Sequence, residues 1–370
     1  MSTGVLEGLR VVELAGFGPA PFCAMLLADM GADVVRIERA NAPERGIPTE
    51  ARFEVMNRGR RSVALDLKSA GGVESLLQLA DRADVLIEGY RPGVTERLGA
   101  GPEACLARNP RLVYGRVTGY GQDGPLAQAA GHDINFIALA GVLGAIGSAG
   151  GPPLPPLNLV ADYGGGGMLL AVGVLAATLE ARRSGRGQVV DAAMLDGSAL
   201  LMAGTFGLKA AGLWRDERGT NVLDGGAPWY GVYETADGGH LALGAVEPRF
   251  YAQLLERLGF GADELPARGD RAAWPALRDA FARRIAERTR AEWELAFAGA
   301  DACVTPVLSS SEAARHPHVA ERGTLVDIEG VMQPAPAPRF SRTPSMVRRT
   351  PPEPGAHTQE VLREWGTGSR

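Results

Sequence analysis

Three residues able to move a proton stand in distinctive contexts. His132 lies in Ala130-Gly131-His132-Asp133-Ile134-Asn135-Phe136, before an apolar segment and beside two polar groups. The chain has five histidines, and imidazole is the side chain best suited to trade protons near neutral pH. A packing histidine would look the same. Asp162 stands just before Gly164-Gly165-Gly166-Gly167, a run that opens a helix. A carboxylate near a helix N-terminus is favoured as the anion, and a plain N-cap or loop acid fits the position equally. Glu247, in Gly244-Ala245-Val246-Glu247-Pro248, has the place of a first-turn acid at a helix start with proline, which needs no chemistry to explain it.

Other motifs are weaker. Gly16-Phe17-Gly18-Pro19-Ala20-Pro21 follows a strand-like run but puts proline where a dinucleotide loop has its third glycine. Proline offers no N–H to a pyrophosphate, so a nicotinamide or flavin dinucleotide is not expected. The four-glycine run lacks the Lys-Ser/Thr of a nucleotide-binding P-loop. His316 and His318 have no acidic or cysteine partner nearby, so no metal is expected. Arg36, Arg39, Arg58, Arg60, Arg61, Lys68, Arg91 and Arg97 gather in the first part of the chain. Several follow predicted strands, on the edge where α/β sheets bind ligands. A polyphosphate ligand would account for them, and so would a solvated surface. Arg91 is the most suggestive, held at a strand exit by the Pro92-Gly93 turn.

The elements that must position these residues follow a rhythm. Strand-like runs at 9–14, 33–38, 62–66, 83–88 and 112–117 alternate with helical patterns, and 189–192 is a further strand candidate. Such alternation indicates βαβ units and a mostly parallel, Rossmann-like sheet. After about residue 226 the pattern changes. A hairpin signal at 231–244 precedes helical segments at 248–258, 274–287 and 290–297, as in a smaller α+β domain. The expected division is a large α/β domain over 1–200, completed by 325–370, a linker over 201–226 and a small α+β domain over 227–324. Hydrophobic residues make up 45% and charged residues 22%, which suits a packed core. A net charge of −5 gives no reason to expect nucleic acid. Cys23, Cys105 and Cys303 form no CxxC pair, which fits a reducing compartment. The start of the chain lacks a signal-peptide pattern, and the apolar stretch 168–179 is too short to span a bilayer. A cytoplasmic, non-membrane setting is expected.

Together these runs resemble one family. Leu9-Arg10-Val11-Val12-Glu13-Leu14, Gly31-Ala32-Asp33-Val34-Val35-Arg36, Asp66-Leu67-Lys68, Gly131-His132-Asp133-Ile134-Asn135, Pro156-Leu157-Asn158-Leu159, Gly185-Arg186-Gly187-Gln188-Val189-Val190-Asp191-Ala192, Asp224-Gly225-Gly226-Ala227-Pro228 and Asp301-Ala302-Cys303-Val304-Thr305-Pro306-Val307 resemble the α-methylacyl-CoA racemases of the family III CoA-transferase superfamily. The resemblance implies that His132 and Asp162 are the two bases and that Glu247 supports the histidine from the other domain. It implies acyl-CoA contacts at Arg39, at Leu65-Asp66-Leu67-Lys68, at Arg91 and along Gly131, Asp133, Ile134, Asn135 and Phe136. Arg97 of the basic group is a further candidate. The family has Tyr where this chain has Phe136, so this chain lacks that hydroxyl.

The implied reaction is epimerisation of 2-methylacyl-CoA thioesters at C2. One base removes the proton and the other returns it on the opposite face. The thioester enolate between them needs donors placed beforehand, and the N–H of Asp133 is a candidate. No metal or separate cofactor is implied, since CoA is part of the substrate. The alternative within the superfamily is a CoA-transferase with Asp162 as nucleophile, forming an anhydride with the acyl group. That chemistry needs the aspartate but not the His132–Glu247 pair. A non-catalytic acyl-CoA-binding protein would need none of the three. The resemblance also implies an interlocked homodimer.

Overall fold

The computed structural model describes residues 4–39, 50–261 and 264–366. In chain order the first elements are β1 (Arg10–Leu14), α1 (Pro19–Asp29), β2 (Asp33–Arg39), β3 (Arg60–Leu65), α2 (Ala70–Ala80), β4 (Val85–Glu88), α3 (Val94–Arg97), α4 (Pro102–Arg108), β5 (Val113–Thr118), α5 (Asp133–Leu139) and α6 (Val142–Ala145). A π-helix, Leu159–Met168, runs directly into α7 (Leu169–Ser184), followed by β6 (Val189–Ala193), α8 (Met194–Leu201) and α9 (Ala203–Ala210). Then come β7 (Tyr230–Glu234), β8 (His240–Gly244), α10 (Pro248–Leu258), α11 (Trp274–Ile285), α12 (Arg290–Phe297) and β9 (Val304–Pro306). The last are α13 (Ser310–Ala313), α14 (Pro317–Arg322), β10 (Leu325–Ile328), β11 (Val331–Pro334) and α15 (Thr358–Gly366).

Strands β1 to β6 form a single sheet in the order β3-β2-β1-β4-β5-β6, with every pair parallel. β-Branched residues fill its centre: Val11, Val12, Val34, Val35, Val85 and Ile87 are all buried. The order reverses between β1 and β4, so the chain leaves these two neighbours in opposite directions. A crevice opens there beyond their carboxyl ends, the usual ligand position in such sheets. The C-terminal segment completes this unit. Val361 and Trp365 of α15 join the core beside Leu76 and Leu79, and Arg61 pairs with Glu360 and Glu364.

Four of the arginines expected to serve a ligand or a solvated surface do neither. Arg36 and Arg60 both pair with Glu13, which is fully buried on β1, at 2.6 and 2.7 Å. Register explains part of this, since Glu13 lies directly opposite Arg36 across the β1–β2 pair. Arg58 is buried against Asp29 at 2.6 Å and also donates to Gln333. Arg61 binds Asp33 and the α15 carboxylates. Buried charges persist only when paired in this way.

The chain separates into two compact units, one of 1–140, 157–202 and 319–370, the other of Gly141–Pro156 and Ala203–His318. Residues 141–156 therefore leave the large unit, and the segment 201–226, expected as a linker, carries α9 and belongs largely to the second unit. Residues 319–324 belong with the large unit rather than the small one. The second unit has an antiparallel sheet, β7-β8-β9, with α10, α11 and α12. Its core is aromatic, built on Trp229, Tyr233, Trp274, Phe281, Trp293 and Phe297.

Candidate functional site

A cavity of about 450 Å³ lies in the large unit. It is lined by Phe17 and Pro19 after β1, Gly89 to Pro92 after β4, and Val117 to Tyr120 at the end of β5. Ala127 to His132, apart from Gln128, line it together with Asn135, Phe136 and Met194. These segments leave the carboxyl ends of the central strands, so the cavity occupies the point where the strand order reverses.

His132 is exposed, at the N-cap of α5 in an extended conformation. Asn135 Oδ1 accepts from the His132 backbone N–H at 3.0 Å, which fixes the start of the helix. Gly131 is glycine for want of room. A Cβ there would lie 2.7 Å from the Phe136 ring and 2.8 Å from the Tyr120 hydroxyl oxygen. Phe136 is buried and packs edge-on against Tyr120 with ring centroids 4.9 Å apart. Ile134 is exposed and outside the cavity lining.

Asp162 is neither an N-cap nor a loop acid. It sits in the first turn of the π-helix, whose N-cap position is Asn158. A π-helix has a wider turn than an α-helix, and such turns recur at functional sites. The four glycines allow it to pack closely. A Cβ on Gly165 would lie 2.7 Å from the Ser198 nitrogen, and one on Gly197 of α8 only 1.9 Å from the Gly165 carbonyl oxygen. Gly166 and Gly167 meet Pro19 and Phe22 of α1 just as closely. The glycine run thus seats the π-helix between α1 and α8.

The Asp162 carboxylate meets Gly18, between the cavity-lining residues Phe17 and Pro19. A Cβ on Gly18 would come within 3.2 Å of Oδ2, and its φ of 66° also favours glycine. Asn158 Nδ2 donates to Asp162 Oδ2 at 2.9 Å. Burial pushes the Asp162 carboxyl above the usual carboxylate range. The negative charge of Asp133 adds to the rise, while the Asn158 hydrogen bond and the charge of His132 oppose it. His132 lines the cavity and Asp162 lies against its Gly18 edge, both within one unit.

The remaining predicted contacts divide by exposure. Arg91 is exposed and lines the cavity. Arg39, at the exposed end of β2, reaches Tyr90, whose hydroxyl pKa is raised by burial against the opposing charge and hydrogen bond of Arg39. Arg97 is exposed on α3, beside Gly93. Lys68 and Asp66 are exposed, and Asp66 Oδ1 accepts from the Lys68 backbone N–H. Leu65 and Leu67 bury their side chains in the core, so a ligand would meet the backbone of that run. Glu247 stands in the second unit as the N-cap of α10, with Pro248 in the first turn. It precedes the first turn rather than lying in it, and its side chain makes no capping hydrogen bond.

Sequence reasoning missed Asn158, Gly18 and the Asp133 side chain. The first had a signal in its spacing, four residues before Asp162. The others depend on segments far apart in sequence. Among the described residues no cluster of His, Cys, Asp and Glu is suited to hold a metal ion.

The profile of CoA-transferase family III matches residues 6–358. The chain belongs to the family III CoA-transferases. It is 50% identical to the mouse α-methylacyl-CoA racemase over 98% of this chain and 93% of that protein. It is 46% identical to the human α-methylacyl-CoA racemase over the same shares. A crystal structure of a CAIB/BAIF family protein from Brucella suis superposes with a TM-score of 0.84 at 25% identity, covering 98% of this chain and 100% of that one. This family III fold is the α/β arrangement with a six-stranded parallel sheet described above.

Proposed function

We infer that the chain is an enzyme interconverting the C2 epimers of 2-methylacyl-CoA thioesters, with His132 and Asp162 as its two bases. The observation that supports the assignment of bases is placement: His132 lines the cavity at the sheet's reversal point, and the Asp162 carboxylate of the same unit lies against Gly18, between the lining residues Phe17 and Pro19. Identity to racemases near one half over almost the whole chain supports the reaction.

The geometry suits the chemistry. A two-base epimerase needs one base ionised and the other protonated before each turnover, and needs both to exchange protons near neutral pH. Burial raises the pKa of Asp162, bringing a carboxyl nearer to that range. One base takes the C2 proton and leaves a thioester enolate. The conjugate acid of the other returns a proton to the opposite face. The N–H of Asp133, next to His132, is the donor assigned to the enolate oxygen. Glu247 is assigned the support of His132 on the resemblance alone. Arg91, Arg39, Arg97 and Lys68 supply positive charge for the CoA phosphates, and the Leu65–Lys68 and Gly131–Phe136 runs supply backbone contacts. No metal or redox group enters the scheme.

Incubating the protein with one C2 epimer of a 2-methylacyl-CoA in deuterated water tests this. We expect the opposite epimer to form with deuterium at C2. Transfer of CoA to a free carboxylate, with an acyl adduct trapped on Asp162 and no label at C2, would establish the transferase instead.

We also propose a homodimer with interlocked chains, in the cytoplasm. The π-helix and α7 form one helical run, Leu159–Ser184, of 26 residues. By length and composition it could cross a membrane, so the expectation from 168–179 that the apolar stretch is too short does not hold. Part of this run packs on the sheet, yet Leu159, Met168, Val172 and Leu179 are exposed. A second copy of the chain would cover such a face. Light scattering in detergent-free buffer should then give twice the chain mass, and a monodisperse monomer would contradict it.

A further inference from the structure

We propose that the Asp133 carboxylate is a positioning residue that clamps the backbone carrying Asp162 and so sets where the second base stands. The proposal rests on Asp162 being a base. Asp133 is almost wholly buried, at 3% exposure. Its Oδ2 accepts two backbone hydrogen bonds, from Ala161 N–H at 2.7 Å and from Asp162 N–H at 2.8 Å. Its Oδ1 is buried without a hydrogen-bond partner among the described residues.

The arrangement differs from ordinary capping. The first N–H groups of any helix lack partners within it, and a side chain from the preceding residue usually accepts from them. Asn158 occupies that place in the π-helix but makes no capping hydrogen bond. Its amide is turned to the Asp162 carboxylate instead. The cap comes from Asp133, on a different helix. An ionised acceptor bonded to two N–H groups holds them more firmly than a neutral one. Asp133 also follows His132 directly in the chain, so a single residue ties the backbones of both bases together. Displacing a reacting group by about 1 Å can cost about 100-fold in rate, so a loose cap would be felt in catalysis before it was felt in folding.

Asp133 acts on Asp162 through charge as well. The charged groups acting on Asp162 are Asp133 and His132, both at the start of α5. The adjoining α1 residues Pro19 and Phe22 carry no charge, and on α8 Asp196 acts on Asp191. Neutralising Asp133 with its shape kept should lower the Asp162 pKa, since its negative charge raises that value.

The test uses full-length Asp133→Ala, Asp133→Asn and Asp162→Asn proteins. Deuterium entry at C2 and epimer formation are followed from each epimer of one 2-methylacyl-CoA. Asp162→Asn should abolish exchange from one epimer and spare it from the other. Asp133→Ala should lower kcat for racemisation about 100-fold, leave KM little changed, and slow exchange selectively from that same epimer. Asp133→Asn keeps an oxygen for the two N–H groups. It should recover most of that loss and move the acid limb of the pH–rate profile to lower pH. Equal slowing of both epimers by Asp133→Ala, or wild-type racemisation, would overturn the clamp. If Asp133→Ala does not fold, Asp133→Ser, too short to reach both N–H groups, replaces it, and equal slowing of both epimers by that variant would overturn the clamp. If Asp162→Asn itself treats both epimers alike, the two-base reading fails, and the clamp fails with it.

Discussion

The two candidate bases are held in opposite ways. His132 stands exposed at the head of a short helix, fixed by a local hydrogen bond between its own N–H and Asn135. Asp162 is half-buried in a π-turn, held by Asn158, by the Asp133 carboxylate and by a seam of glycines against α1 and α8. Imidazole as a side-chain type is suited to proton exchange near neutral pH without special support. A carboxyl titrates several units lower, so its environment must raise it, and burial requires that the chain around it be closely packed. The base with the less suitable intrinsic pKa therefore has the more elaborate support.

Three substitutions would break or sharpen that contrast. The largest effect is expected from His132→Ala, which removes a general base worth about 10² to 10⁴ in rate. Its thermal stability should stay close to that of the wild type, because the exposed side chain packs against little; a large fall in melting temperature would mean that His132 is structural. Next comes Gly197→Ala. Its Cβ would collide with the Gly165 carbonyl, and overpacking of this kind costs about 1–3 kcal/mol. A lower urea midpoint together with slower racemisation is expected, whereas unchanged values would show that the glycine seam is not needed. The smallest effect is the most specific. The Asp162 pKa is raised in the folded protein, so folding favours its protonated form. Its ionisation costs stability as pH rises through the range between the unfolded and folded values. Asp162→Asn should therefore melt above the wild type at neutral pH, with the difference shrinking in acid, although it loses racemisation. A variant less stable at neutral pH would show that Asp162 is held as a structural ion.

The sequence made part of this legible. β-Branched runs at regular spacing announced the parallel sheet, and the rarity of histidine made His132 visible. The π-helix was not legible. A glycine run before an apolar stretch suggests a helix start, but the close seat of Gly165 against Gly197 joins two segments whose contact no local pattern encodes. The arginines show the same limit. Sequence reveals their charge but not their partners, so Arg36, Arg58, Arg60 and Arg61 stood in one ligand-or-surface group with Arg91, although the Pro92-Gly93 turn made Arg91 the most suggestive. Carboxylates on neighbouring strands and helices claim the first four, while Arg91 remains at the cavity. Conversely, the Leu65 and Leu67 side chains, at and just beyond the end of β3, serve the core.

The most direct test of the two-base account compares His132→Ala and Asp162→Asn in deuterated water, each given the two C2 epimers of one 2-methylacyl-CoA separately. Bases on opposite faces predict complementary losses. One variant exchanges C2 hydrogen only from the first epimer, the other only from the second, and neither racemises at the wild-type rate. Loss of exchange from the same epimer in both variants, or undiminished exchange from both epimers in either one, would contradict it.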